Sequence, residues 1–188
     1  MAGAASADAF PRPAAPEVVF AGRSNVGKSS VLNAVAQRRA LARVGRSPGR
    51  TRQVNFFDLG DWCRLVDLPG YGWARVARTE RQSWKPLVEG YFAGGRPVAL
   101  VLLLVDSRRG LGEADAGLFA WLADRGLPVR LLLTKTDLVS PAELARVVAR
   151  VGERLDRPAG NAPPLLISTH TGRGLAPLRA LIRAAVQP

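Results

Sequence analysis

Gly22, Gly27, Lys28 and Ser29 stand at the spacing of a loop that wraps a chain of phosphates, G-x-x-x-x-G-K-[ST]. Backbone N–H groups along Gly22, Arg23, Ser24, Asn25, Val26, Gly27 and into Ser30 would surround the phosphate oxygens, and the helix that follows would add its dipole. Lys28 would reach the β and γ oxygens and the Ser29 hydroxyl a magnesium ion. Thirty-nine residues after Lys28, "LVDLPG" ends in D-x-x-G. Asp67 would hold the magnesium through water and the Gly70 N–H would meet the γ-phosphate, so the next loop senses whether that phosphate is present. In "LLLTKTD" at 131–137, the Asp137 carboxylate can accept from both N1 and N2 of guanine, whereas adenine would leave it unpaired. Lys135 would lay its stem along the base, and Thr134 stands where many GTPases carry Asn. After the last strand, "LLIST" places Ser168 and Thr169 where a backbone N–H could meet guanine O6. Singly, D-x-x-G reads as a turn and T-K-x-D as a polar loop; in this order behind the phosphate loop they read as one nucleotide site.

Lys28, Thr51 and Gly70 are the catalytic candidates for in-line attack of water on the γ-phosphate, with charge neutralised by Lys28, magnesium and backbone donors. A hydroxyl and carbonyl in the loop before "QVNFF" could complete the magnesium shell only with GTP bound; on spacing alone Thr51 or Ser47 would serve. No general base is visible. Tyr71 follows Gly70, where Ras-like enzymes place a water-positioning Gln, so slow intrinsic turnover raised by a partner is expected. His170 reads as a loop residue flanking the base. Trp62, Trp73, Trp84 and Trp121 read as core or interface, with Trp73 in a segment expected to be mobile from Gly70 to about Arg78; residues 43–52 carry the same expectation.

Short apolar runs alternate with helical patterns: six strands within 17–22, 52–60, 61–70, 98–106, 129–137 and 164–169, and five helices within 28–40, 80–92, 113–126, 141–155 and 175–186. The continuous runs at 98–105 and 129–133 suit central parallel strands covered on both faces. The fold class is therefore α/β: one domain over 16–188 with a mostly parallel six-stranded sheet, helices on both faces and the site outside the carboxyl ends of the strands. Residues 1–15, rich in Ala and Pro, read as a disordered tail rather than a secretory signal. "VALVLLLV" is less than half of the ~20 residues a membrane helix needs. The one cysteine, Cys63, fits a packed thiol in a reducing cytoplasm. A net charge of +12, with no acidic residue between Glu17 and Asp58, suits a polyanionic partner. Only three lysines occur, and Lys28 and Lys135 fall inside the motifs, where a guanidinium would not replace an ammonium. A small-molecule kinase would share the phosphate loop but give Asp137 no purpose; a membrane-surface protein lacks any lipidation motif.

The chain resembles the EngB/YsxC family of ribosome-biogenesis GTPases, of the translation-factor-like class of P-loop GTPases, over about residues 17–186. The carriers are "FAGRSNVGKSSVLNAV", "SPGRTRQVNFF", "DLPGYGWARV" running into "ERQSWKPLVEGYF", "VDSRRGLGEAD" and "LLLTKTD". The resemblance selects Thr51 over Ser47. It implies a monomeric cytoplasmic GTPase that binds GTP and GDP with magnesium and meets the precursor of the large ribosomal subunit and its RNA through its basic switch face. It also implies a link to septation and cell division. An alternative is a GTP-dependent binding module for RNA or protein in which hydrolysis is incidental. Relatives with an asparagine at the Asn25 position and an apolar or aromatic residue after the D-x-x-G glycine can use potassium in place of an arginine finger, so the Asn25 side-chain carbonyl is a potassium candidate. Thr169, where a second serine is common, and "WARV" depart from the family pattern without touching the phosphate chemistry.

Overall fold

The computed structural model describes residues 2–38, 41–42, 53–71, 78–155 and 162–187, with the backbone alone over 78–83. Ser47, Thr51, Trp73, the 43–52 loop and residues 72–77 lie outside them. The described residues hold seven strands and five helices: β1 Ala2–Ala4, β2 Glu17–Gly22, α1 Lys28–Ala36, β3 Val54–Leu59, β4 Cys63–Asp67, α2 Arg78–Ala93, β5 Val98–Asp106, α3 Glu113–Ala123, β6 Val129–Thr134, α4 Pro141–Arg154, β7 Leu165–Leu166 and α5 Leu175–Val186. The strands form one sheet in the order β1-β3-β4-β2-β5-β6-β7. β1, β3 and β4 pair antiparallel, and β4-β2-β5-β6-β7 are parallel.

The apolar runs are divided by the two-residue period of a strand. Val101, Leu103 and Val105 of β5 face a core with Val19 and Ala21 of β2, where Val88 and Tyr91 of α2, Phe119 and Leu122 of α3 and Leu144 of α4 close over them. Leu100, Leu102 and Leu104 face the opposite core with Val18 and Phe20, covered by Leu32 of α1 and Leu178 and Ile182 of α5. Both faces of β2 and β5 are thus dry, and the crevice lies at their carboxyl ends, where the chain passes to opposite sides of the sheet. Cys63 is buried and its thiol is pushed up to about 12, first by burial and then by the charge of Glu17.

Residues 2–15 pack against the domain where the sequence reading expects a disordered tail over 1–15. Ala2–Ala4 pairs with β3 and turns a six-stranded sheet into a seven-stranded one. Phe10 packs edge-on against Phe56 and Tyr91 at centroid distances of 5.6 and 6.0 Å. The carbonyls of Pro11 and Arg12 accept hydrogen bonds from Arg96 (3.0 Å) and Arg64 (2.9 Å). Proline removes backbone donors but leaves every carbonyl, and these two are taken by arginines. Both arginines converge on the fully buried Glu17, which accepts two bonds from Arg96 (2.7 and 2.8 Å) and one from the Tyr91 hydroxyl (2.6 Å), with Arg64 3.6 Å away.

Candidate nucleotide site

The loop between β2 and α1 is built on conformations that few side chains tolerate. Gly22 has φ 154°, and a Cβ there would lie 2.7 Å from the Leu104 carbonyl oxygen. Asn25 has φ 63°, and Gly27, at φ 105°, caps α1 without a side chain. This turns the chain back so that Lys28 and Ser29 open α1, whose first N–H groups have no partner within the helix and suit an anion.

β4, hydrogen-bonded beside β2, carries the second motif. Lys28 and Asp67 are both buried, with Lys28 Nζ 3.6 Å from Asp67 Oδ1. Burial raises the Asp67 carboxyl above the ordinary carboxylate range, against the pull of Lys28. Its Oδ1 has no hydrogen-bond partner among the described residues. A desolvated carboxylate whose Oδ1 lacks a hydrogen-bond partner, on the strand paired with the one that leads into the phosphate loop, fits a hard divalent cation such as magnesium. Gly70 lies against the phosphate loop: a Cβ there would come within 2.9 Å of Ser24 Oγ and 3.0 Å of Ser24 N. Ser24 N donates to the Tyr71 carbonyl at 3.0 Å, which couples the two loops directly.

The third motif closes the other end. The Thr134 hydroxyl lies 2.7 Å from the Val26 carbonyl and 3.2 Å from that of Val105, so the threonine that replaces asparagine braces the phosphate loop. Lys135, in the left-handed region at φ 57°, donates from Nζ to the Asn25 carbonyl (2.6 Å) and to Asp106 Oδ2 (2.9 Å). The exposed Asp137 is brought to Ser168, whose hydrogen bond holds its carboxyl below the usual range, with a smaller contribution from the charge of His170. Thr136 N donates to the Ile167 carbonyl (3.3 Å), and Thr171 N to Ser168 Oγ (3.1 Å), so the base-end loops share one scaffold. Thr169 and His170 are exposed in the same loop.

Sequence reading missed three residues. Asp106, at the carboxyl end of β5, takes a two-pronged grip from Arg108 (2.9 and 2.6 Å) as well as the Lys135 ammonium. Burial opposes its charge, but these bonds outweigh it and hold the carboxyl down to about 2. Ser107 donates to the Lys135 carbonyl at 3.1 Å. Asp115 of α3 accepts the Tyr71 hydroxyl at 2.7 Å and the Gly112 N–H at 2.9 Å. Burial and the Asp115 carboxylate push the Tyr71 phenol far up, so it remains a protonated donor. The available signal was a carboxylate at the end of a central strand, the edge of an α/β sheet where ligands sit. Trp62, read as core or interface, is 45% exposed in the β3–β4 turn, which rules out the core and leaves the interface.

This arrangement can hold a phosphate chain at one end and read a planar base at the other. Across nearly its whole length the chain is 42% identical to the probable GTP-binding protein EngB of Gluconobacter oxydans, a match that covers 99% of this chain and 82% of that relative. The chain belongs to the EngB family. A second EngB protein, from Caulobacter vibrioides, is also 42% identical, over 96% of this chain and 79% of its own length. The family model described as "50S ribosome-binding GTPase" matches residues 17–135. Like its family, this EngB chain is a GTPase that binds guanine nucleotide. Among solved structures, a probable GTP-binding protein EngB superposes with a TM-score of 0.75 over 90% of this chain and 98% of its own, at 21% identity. Era in complex with MgGDPNP and 16S ribosomal RNA nucleotides superposes at 0.72, covering 94% of this chain and 58% of that one, at 17% identity. Both show the same P-loop fold. No helix among the described residues of this EngB chain is long and apolar enough to cross a membrane.

Proposed function

We infer that this GTPase is a nucleotide-dependent switch in assembly of the large ribosomal subunit. The observation that carries the site assignment is the Lys135 bridge, which ties the loop bearing Asp137 to the phosphate loop through the Asn25 carbonyl. Phosphate binding and base reading therefore share one rigid frame. In this reading Gly22 to Ser30 hold the phosphates, Asp137 accepts from guanine, and Ser168 and Thr169 flank the base. Ser29, Asp67 and Thr51 would hold magnesium, which supplies charge neutralisation at the β and γ oxygens. Lys28 adds a positive charge there, and the Gly70 N–H meets the γ-phosphate. Tyr71, committed to Asp115, contributes no base, so intrinsic turnover is slow and rises with a partner. Asp137→Asn should exchange GTP preference for XTP, by more than about a hundredfold given the cost of unpaired polar groups; retained GTP preference in competition binding sinks the assignment.

The ribosomal role is supported by the family's description, the basic composition and the coupling of Gly70 to the phosphate loop through Ser24 and Tyr71. Sedimentation with large-subunit particles should be stronger with GTP than with GDP and should fall steeply with salt; indifference to the nucleotide would remove the switch. If binding is nucleotide-dependent but departure does not need phosphate release, the module in which hydrolysis is incidental is the better description. Asn25, fixed at positive φ by the Lys135 contact on its carbonyl, is the candidate for potassium; equal hydrolysis rates in sodium and potassium buffers would eliminate that role.

A further inference from the structure

On the α1/α5 face of the sheet, three elements enclose a cleft of about 330 Å3. Val35 and Leu59 contribute an apolar floor, and Arg38, Arg179 and Arg183 a cationic rim. Trp62 stands in the β3–β4 turn, and its ring lies close to Gly60, whose φ of 60° makes that turn; a Cβ on Gly60 would be 3.5 Å from Trp62 Cδ1. Among the described residues no carboxylate lines the cleft. Of the acidic residues in the adjoining hairpin, Asp58 is held by Arg64, and Asp61 is exposed next to Trp62 in the chain.

The three arginines differ from those that are tied to carboxylates. Arg64, Arg96, Arg108 and Arg154 each pair with a carboxylate, whereas Arg38, Arg179 and Arg183 form no ion pair among the described residues. Arg179 gives one N–H to the Ala34 carbonyl at 3.1 Å, and its Nε is buried with no partner among the described residues. A donor withheld from water without an acceptor is rare in a folded protein, and an anion would satisfy it. Unpaired guanidinium groups beside an exposed indole over an apolar floor match the two halves of an unpaired nucleotide: a base face that stacks on an aromatic ring and phosphates that take arginine forks. A duplex keeps its base faces stacked inside and cannot offer them.

We propose that the cleft between the end of α1, the β3–β4 turn and α5 binds a segment of single-stranded RNA, with a base on Trp62 and the flanking phosphates on Arg38, Arg179 and Arg183. The phosphate loop opens the other end of α1, roughly 13 Å away at the rise of a nine-residue helix, so RNA and GTP can be held together. This names the RNA-contacting surface of the ribosomal role and rests on that reading.

The test is fluorescence anisotropy of a labelled single-stranded RNA of about twelve nucleotides on the full GDP-bound chain, which spans a usual single-strand site. Trp62→Ala should weaken binding roughly tenfold. Arg38→Glu with Arg183→Glu should weaken it further and lower the slope of log K against log salt by about 1.4, for two lost phosphate contacts on a single strand. Arg179 is left intact because it also holds Ala34. GDP affinity and the GTP hydrolysis rate should stay at the parent level in both variants, which reports that they fold. Parent-level RNA affinity in both variants overturns the proposal, as does equal displacement by polyglutamate with no effect of Trp62→Ala, the pattern of a general polyanion patch. If the parent protein sediments with ribosomal particles and the variants do so equally well, only the cleft assignment fails. If the parent neither sediments nor binds RNA, the ribosomal reading itself fails.

Discussion

Asp106 connects two functions that the motifs describe separately. Its carboxylate holds the Lys135 ammonium, which also reaches across to the Asn25 carbonyl, so one charge braces the base-end loop and the phosphate loop. Removing it should loosen both. Asp106→Asn is expected to weaken GDP and GTP binding by a similar factor, about tenfold for one charge-assisted hydrogen bond, while kcat at saturation holds. Calorimetry and the KM-against-kcat split check this. The same residue sets an acid dependence. Its folded pKa, about 2, lies below the unfolded carboxyl near 3.9, so its stabilisation is complete at neutral pH and fades as pH falls from about 5 to 2. That stabilisation is on the order of 2 kcal/mol. Urea unfolding should therefore find the parent clearly more stable than Asp106→Asn at pH 6, with the gap roughly halved at pH 3. A pH-independent gap would contradict the role. In the sequence, "VDSRRG" is only a strand end, since neither the fork of Arg108 nor the reach of Lys135 is encoded by local spacing.

At the scale of elements, glycine positions decide where helices can start. Gly174 precedes α5 at φ 74°, and a Cβ there would collide with the Leu166 carbonyl oxygen of β7. The neighbouring bond from Ser168 N to the Arg173 carbonyl, at 3.1 Å, anchors the loop that meets Asp137. Gly174→Ala should cost about 2–4 kcal/mol, above the ~1 kcal/mol of a strained residue alone because backbone must move. It should also weaken guanine binding with little change in kcat. Denaturant titration checks the first effect and GDP binding the second; a variant within 0.5 kcal/mol of the parent, roughly the scatter of neutral substitutions, would refute it. The elements themselves were legible because the period of each segment was strong: Leu100 to Val105 alternate between two cores, as a strand covered on both faces must. The three-residue β1 carries too little pattern to register on its own, whereas the two-residue β7 falls inside the strand expected at 164–169.

For the whole molecule, the N-terminal segment is a strap across the β3 edge of the sheet and the buried Glu17 cluster. Deleting residues 2–12 removes the β1 pairing, the Phe10 contacts with Phe56 and Tyr91, and the acceptors for Arg64 and Arg96. Roughly 3 kcal/mol of stability should be lost from partial burial of one aromatic ring and two charge-assisted hydrogen bonds. GTP hydrolysis should stay within about twofold, since the bonds and ring contacts that hold the strap among the described residues all lie on β3, Arg64, Arg96 and Tyr91, away from the phosphate loop. A thermal midpoint unchanged by the deletion would show that the strap does not hold. Composition misread this segment because alanine and proline supply few side-chain contacts, while its anchors are one phenylalanine and two backbone carbonyls.

The sequence by itself pointed to the chemistry proposed for the site. Phosphate cradling and base reading depend on residue types at fixed short spacings, and Gly22, Lys28, Asp67, Lys135 and Asp137 announce themselves in that way. Tertiary structure alone decided what holds these residues in place: Asp106 under Lys135, Asp115 on Tyr71, Thr134 on the Val26 carbonyl, and the arginine cleft beside Trp62. These contacts join residues up to 145 positions apart, as Arg179 joins Ala34 beside the cleft. Their energy comes from burial and charge pairing after the sheet has closed, and no local pattern records it.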